Sequence, residues 1–164
     1  MEIYLISGTS TKAPPWALFF IGCYNIAMPT VETKIWLALK SRIESLTLWF
    51  PVAWPGQLFT PKNQPYLRVA HVVARPAAQL VDSGKPHQRT GRLIVTLVYP
   101  LSQKQTYEVY VDLQGQIARH FADGTKLYKD GVCVSIDEYP QAQDGYEDSG
   151  YWNAPVNIAW RCFA

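Results

Sequence analysis

The stretch RTGRLIVTLVY, Arg89–Tyr99, is the strongest strand signal in the chain and decides its fold. Most of its length is an almost continuous run of β-branched and aliphatic residues, and Pro100 closes it. A strand that is apolar on both faces is typical of the middle of a sheet, where both faces are shielded from water. We therefore expect Arg89–Tyr99 to be a central strand.

Four further stretches around this strand are predicted to be strands, because β-branched and aromatic residues run between turn signals. They are Val52–Trp54, Tyr66–Ala74, Gly131–Tyr139 and Tyr151–Phe163. The segment Arg75–Gln88 contains Pro76, Gly84 and Pro86, so we expect a long exposed excursion there. The segment QAQDGYEDSG, 141–150, is predicted to be an acidic, turn-rich loop.

Two segments are predicted to be helices. The first begins after Thr30, a plausible N-cap, and its apolar residues recur at helical spacing before Pro51. The second is ambiguous, since Thr106–Leu113 alternates like a strand, whereas the apolar residues from Tyr110 to Phe121 fit a helix. Its length favours a helix, with Ser102 and Gln105 as a capping box.

The element order α-β-β-β-α-β-β predicts a single α+β domain over residues 28–164. Its two helices pack on one face of a mostly antiparallel (mixed) sheet of about five strands. The residues expected in the core are Ile35, Leu39, Ile43, Leu93, Val95, Leu97, Val132, Val134, Ile158 and Trp160.

Residues 1–27 differ from the remainder of the chain. An apolar run, Pro14–Ala27, is shorter than the roughly 20 residues that a membrane span needs, and its flanks are weak for a signal peptide. Met28-Pro29-Thr30 reads like a natural start leading into a helix. Three interpretations remain: translation begins at Met28, the segment is an apolar arm that docks on the body or a neighbour, or it is a cleaved leader.

Composition excludes some classes of protein. The chain has 164 residues, 48% of them hydrophobic, and a net charge of +2, so neither global disorder nor a strongly basic nucleic-acid binder is expected. The three cysteines, Cys23, Cys133 and Cys162, are widely spaced and read as free thiols. Metal motifs, phosphate loops and nucleophile elbows are absent from the sequence. We expect no catalytic residues, no cofactor and no metal.

Charge divides the chain into two blocks. Residues 62–92 carry six bases against Asp82, and residues 123–148 carry seven acids against Lys126 and Lys129. Opposite patches on one domain suit head-to-tail contacts that close into a ring, although ordinary surface charge is the simpler alternative. The candidate interface residues are Arg75, Lys85, Arg89, Arg92, Asp137, Glu138, Asp144, Glu147 and Asp148.

From Met28 onward the chain resembles the tail-terminator proteins of long-tailed bacteriophages and related prophages. The motifs that carry this resemblance are VAWPGQLFTP, PYLRV, GRLIVTLVYP and the closing YWNAPVNIAWR. The resemblance implies a structural virion protein that forms a hexameric ring on the head-proximal end of the tail tube. It would stop tube polymerisation, contact the tube protein and a head–tail connector or stopper, and let DNA pass without sequence-specific binding. No membrane partner is expected; the locations implied are the virion neck and, during assembly, the host cytoplasm.

Other functions remain open from the sequence. A head–tail connector or head-completion subunit would share the size and fold class. A nucleic-acid-binding module using the basic 62–92 stretch comes from a different class. A small accessory to a hydrolase comes third, with no residues to name.

Overall fold

A computed structural model describes residues 29–75 and 87–164. Its helices and strands are α1 (Val31–Glu44), β1 (Val52–Ala53), β2 (Tyr66–Val73), β3 (Gln88–Pro100), α2 (Tyr107–His120), β4 (Lys126–Lys129), β5 (Val132–Ser135), β6 (Gln141–Ala142), β7 (Tyr146–Asp148) and β8 (Tyr151–Phe163). A short 3₁₀ turn, Leu101–Gln103, joins β3 to α2.

The sheet is built around β3 and β8. These two strands pair antiparallel along all thirteen residues of each, from Gln88 opposite Phe163 to Pro100 opposite Tyr151. The strand order is β1-β2-β3-β8-β5-β4, and β6 and β7 also pair with β8. Among the described strands only the β1–β2 pairing is parallel, so the curled sheet is mixed but mostly antiparallel. The α+β class and the central position of Arg89–Tyr99 are thus confirmed.

The predicted strand count and element order were wrong, because the sheet of the described residues has eight strands rather than about five. The predicted acidic loop 141–150 contains the strands β6 and β7, which are too short to give a sequence pattern. Both pair with the edge of β8 that is opposite β3. The predicted strand Gly131–Tyr139 is reduced to β5 and is preceded by β4.

Two tight hairpins account for two of the extra strands, β4 and β7. Asp130 and Gly131 connect β4 to β5 with φ of 45° and 82°, and Ser149 and Gly150 connect β7 to β8 with φ of 51° and 82°. Positive φ at both central residues is the mark of a two-residue type I′ hairpin, which Asp-Gly favours. The Asp-Gly pair at 130–131 was therefore the signal that could have revealed β4.

Helix α1 begins as predicted. The Thr30 side chain accepts a hydrogen bond from the backbone N–H of Thr33 at 3.3 Å, which satisfies one free donor of the first turn. The buried residues Ile35, Leu39 and Ile43 form its core-facing stripe. Beyond β1, the Trp54-Pro55-Gly56 stretch forms a turn, with Gly56 at φ 71°.

Helix α2 confirms the helical interpretation of the ambiguous segment, but its predicted start was wrong. Thr106, rather than Ser102, occupies the N-cap position. Ser102 hydrogen-bonds with Asn63 instead, because the 3₁₀ turn directs it to the loop before β2. Inside the helix, the buried Gln114 donates to the backbone oxygens of Gln143 and Pro155 at 2.9 and 3.0 Å, which fixes α2 on the sheet.

Both helices cover one face of the sheet and enclose one core. All of the predicted core residues are buried, including Leu97 and Val95 at 0% exposure. The C-terminal ends of the two helices are also linked directly: the Arg42 guanidinium donates to the backbone oxygen of His120, and Nε2 of His120 lies 2.8 Å from the backbone oxygen of Arg42. The face of the sheet that the helices leave uncovered is therefore the candidate functional surface.

Candidate subunit interface

The uncovered sheet face, called the outer face below, is defined by strand register. Cross-strand partners point to the same side of a sheet. Opposite the core-facing Leu97 and Val95 rows, the outer face carries three rows that cross β2, β3 and β8. They are Arg68–Thr96–Pro155, Ala70–Ile94–Asn157 and Val72–Arg92–Ala159. Thr96 and Pro155 are buried, so the open part of this face lies in the other two rows and at Arg68.

This face has an apolar centre and a charged rim. Ala70 is exposed, Val72 is 51% exposed, and Ile94 and Ala159 are half-buried. Arg68 and Arg92 flank them, and Arg68 donates to Oδ1 of Asn153 at 3.1 Å. An exposed apolar patch with a polar rim is typical of a protein–protein contact.

A groove of about 410 Å³ lies at one end of the outer face. Arg92, Arg161, Asp137 and Glu138 line it, together with Thr90 and Ala159. Arg161 and Asp137 form an ion pair at 2.8 Å. The fold thus brings Arg92 of the basic block close to Asp137 and Glu138 of the acidic block within one subunit.

Three other predicted interface residues have partners within the subunit. Arg89 pairs with Glu32 at 3.0 Å and donates to the backbone oxygen of Ala164. The backbone N–H of Glu32 itself and the Arg89 guanidinium hold the pKa of this carboxyl below its usual value. Glu147 pairs with Lys104 at 3.3 Å, and Asp148 accepts a hydrogen bond from Ser149.

Arg75 and Asp144 are exposed, and Lys85 lies outside the described residues, as does most of the predicted excursion between β2 and β3. Sequence reasoning missed the partners Glu32, Lys104 and Arg161. Each lies far along the chain from the residue it pairs with, and none stands out by composition.

Sequence reasoning also missed two fully exposed apolar side chains in the segment between α1 and β2. Trp49 is 99% exposed, and Leu58 is fully open to solvent. Tryptophan is the residue most enriched among the energetic centres of protein interfaces. The fully exposed Trp49 therefore makes this segment a second candidate contact surface.

Burial shifts the pKa of several titratable groups among the described residues. It lowers the pKa of His71 and of His120 and raises the pKa of the Cys162 thiol. Within residues 29–75 and 87–164, His, Cys, Asp and Glu side chains do not gather in threes where a metal could bind. The same residues contain no helix long and apolar enough to cross a membrane.

Fold and surface together define a small α+β protein whose open sheet face and exposed apolar loop are suited to binding other protein subunits. Residues 34–160 match the family model of the phage tail terminator protein, and the chain belongs to this family. The predicted family is therefore confirmed. It gives the protein a structural role in the phage tail.

Solved structures support the fold independently. Seven solved chains match this one. One of them superposes with a TM-score of 0.65 at 16% sequence identity, and the alignment covers 82% of this chain and 96% of the other. No protein of curated function matches the sequence.

Proposed function

We propose that this protein assembles as a ring, expected to be a hexamer, on the head-proximal end of the phage tail tube. There it stops polymerisation of the tube and forms part of the joint with the head. The observation that carries the proposal is the match of residues 34–160 to the tail-terminator family. The two contact surfaces of the fold support it, because a ring subunit on a tube must bind its neighbours and the tube together.

The mechanism is geometric. The ring binds the last ring of tube protein, covers the surface to which the next tube subunit would add, and presents a different face to the connector. Among the described residues, the outer face and the segment of Trp49 and Leu58 supply the apolar contact area. From its sequence we also take the segment between Arg75 and Arg89, most of which lies outside the described residues, as the candidate for the tube contact, because a long loop between two strands can reach beyond a subunit body.

Charge pairs are proposed to set the register between neighbouring subunits. Arg89, Asp137 and Glu147 already form ion pairs in their own subunit, so the contacts fall to Arg75 and Arg92 facing Asp144 and Asp148. The hydrogen bond that Asp148 accepts from Ser149 leaves its charge unpaired. Rim pairs of this kind contribute about 0.2–1 kcal/mol each. Apolar surface must therefore supply most of the affinity, with charge controlling orientation and association rate.

The test combines native mass spectrometry with negative-stain images of the protein mixed with purified tail tubes. We expect rings in solution, one ring at a single end of each tube, and arrest of tube growth. Val72→Arg on the outer face should weaken ring formation. Val111→Arg is the matched control, since Val111 on α2 is 46% exposed, close to the 51% of Val72.

Two results would favour the other functions. Binding to purified heads but not to tail tubes would favour a head–tail connector or head-completion subunit. Retention on DNA at physiological salt, lost in Arg68→Ala and Arg92→Ala variants, would favour a nucleic-acid-binding module that uses the arginines of the outer face.

A further inference from the structure

A second cavity, called the α1–β2 pocket, lies on the opposite side of the sheet from the outer face. Its volume is about 220 Å³. The first two turns of α1, the end of β2 and the paired strands β3 and β8 form its wall. The lining residues are Glu32, Ile35, His71, Val73, Arg89 and Trp160.

The pocket is aromatic and carries buried polar nitrogens without partners. The His71 ring lies between the rings of Trp36 and Trp160, with centroids 5.4 Å away on each side. In the part of the chain that the structure describes, neither Nε2 of His71 nor Nε1 of Trp160 has a hydrogen-bond partner. Trp160 is only 2% exposed, and a buried N–H without an acceptor is costly.

The edge of the sheet beside the pocket is also open. Strand β1 pairs with only Leu67 and Arg68, so the outer edge of Val69–Val73 has no strand partner among the described residues. Val73 stands at this edge, lines the pocket and is 50% exposed. An apolar, unpaired edge is a template for an added strand.

The point at which the described chain begins suggests an occupant, namely the preceding residues 1–28, which lie outside the described residues. Glu32 and Ile35 lie in the first two turns of α1, so the chain that precedes Thr30 joins the body beside the pocket. That chain carries the apolar run Pro14–Ala27. About ten extended residues reach roughly 33–36 Å, enough to follow the edge of β2. The family match begins only at residue 34, so the segment that would dock lies outside the part of the chain that matches the family.

We propose that the segment 16–27 docks along the edge of β2 in its own subunit and places an apolar side chain in the α1–β2 pocket. Its backbone carbonyls supply acceptors for the unpartnered ring nitrogens. A segment tethered at the mouth of the pocket has a high effective concentration there, which favours the same chain over a neighbouring copy.

Cysteine labelling in the full-length chain tests this docking. Val73→Cys reports on the pocket edge, and Val72→Cys is the matched control, since it is 51% exposed but faces the other side of the sheet. Labelling at each site is followed by mass spectrometry of peptides, which separates it from the native cysteines. Each cysteine variant is prepared in two chains, one with the natural N-terminal segment and one serine-substituted. In the serine-substituted chain five residues are changed to Ser: Trp16, Phe19, Phe20, Tyr24 and Ile26.

We expect the Val73→Cys thiol to react about tenfold more slowly in the chain with the apolar segment than in the serine-substituted chain. The Val72→Cys rate should be the same in both. Equal Val73→Cys rates in the two chains would overturn the proposal.

A mixing experiment separates docking within one chain from docking in a neighbour. Serine-substituted chains that carry Val73→Cys are assembled with an excess of chains whose segment is unchanged. Labelling should stay fast, because five large apolar residues of the probe chain's own segment are replaced by serine. Slow labelling would assign the pocket to the segment of a neighbouring copy and overturn docking within one subunit.

Discussion

The indole of Trp160 lies against the backbone of Gly91, its cross-strand partner in β3. A Cβ atom built on Gly91 would lie 2.7 Å from Cε2 of Trp160 and would also collide with the backbone oxygen of Val72. The absence of a side chain at this position is what allows the Trp160 ring to fold onto the sheet and border the α1–β2 pocket. Space, rather than backbone conformation, requires this glycine.

Gly91→Ala should therefore lower the free energy of unfolding, by about 1–3 kcal/mol, because the backbone oxygen of Val72 cannot move aside cheaply. Gly115→Ala is the control: it lies inside α2, nothing is within 4 Å of its added Cβ, and alanine should stabilise the helix by about 0.5–1 kcal/mol. Urea unfolding followed by circular dichroism measures both. An unchanged free energy of unfolding in Gly91→Ala would contradict the packing of the Trp160 ring against Gly91.

Leu97→Ala should lower the free energy of unfolding by about 2–5 kcal/mol, as a large-to-small change in a well-packed core. Leu97 is 0% exposed and pairs with Leu67 on one side and Ala154 on the other, so the surrounding strands cannot collapse easily into the space. Leu97→Met, which conserves volume, should cost less than about 1.5 kcal/mol. Urea unfolding curves give both free energies from their midpoints, provided that the dependence of the free energy on urea concentration is unchanged. Equal losses of stability for the two changes would argue against a tightly packed central strand.

The stability of the fold should fall as the pH drops below about 6.5. Burial lowers the pKa of His71 from 6.5. Just below pH 6.5 the His71 side chain therefore binds a proton more readily in the unfolded chain than in the folded one. The stability is complete above pH 6.5 and is lost progressively as the pH falls toward the lower folded-state pKa. Tm should be lower at pH 5.0 than at pH 7.5.

His71→Phe keeps a ring between Trp36 and Trp160 and removes the titrating group, so it should reduce this pH dependence. Some dependence should remain, because burial also lowers the pKa of His120. Thermal unfolding of both proteins across this pH range makes the comparison. An unchanged difference in Tm would exclude His71 as a source of acid sensitivity.

Ring formation should weaken as salt rises, because the Debye length falls from about 8 Å at 0.15 M to about 3 Å at 1 M. Arg92→Glu should slow assembly, and adding Asp148→Lys should partly restore it if the two residues meet across the interface. Arg119→Glu, on the exposed side of α2, is the control with the same change in charge. Arg89→Glu is a less clean test, since it also breaks the pair with Glu32 inside the subunit.

Light scattering and native mass spectrometry between 50 mM and 1 M salt measure this assembly. Indifference to salt, or a double variant no better than Arg92→Glu alone, would exclude charge pairing between subunits. The assignment to the tail-terminator family is independent of that outcome, because it rests on the sequence match.

A chain that begins at Met28 should fold and assemble, because the capped helix α1 and all the described strands lie downstream of that residue. Docking of the N-terminal segment would then shield the α1–β2 pocket from solvent, and the core would fold without it. Circular dichroism and native mass spectrometry of the shortened chain provide the check. Insoluble protein, or loss of the ring, would instead make the segment part of the fold.

Patterns local in the chain determined much of this protein. The apolar run of β3 specified a central strand, Thr30 specified the start of α1, and alternation within β3, β5 and β8 selected core residues that are all buried. These features are readable because each depends on neighbours within a few residues, through strand or helix periodicity and capping.

Only the tertiary structure decided the remainder. Strands β6 and β7 are too short to carry a periodic signal, and they exist because β8 offers them backbone hydrogen bonds. The charged residues were identifiable, but their pairing was not: Arg89 meets Glu32 and Arg161 meets Asp137 because the folded sheet places distant segments side by side. Sequence alone determines which groups are charged or apolar, whereas long-range packing determines which of them are satisfied within the subunit and which remain free for a partner.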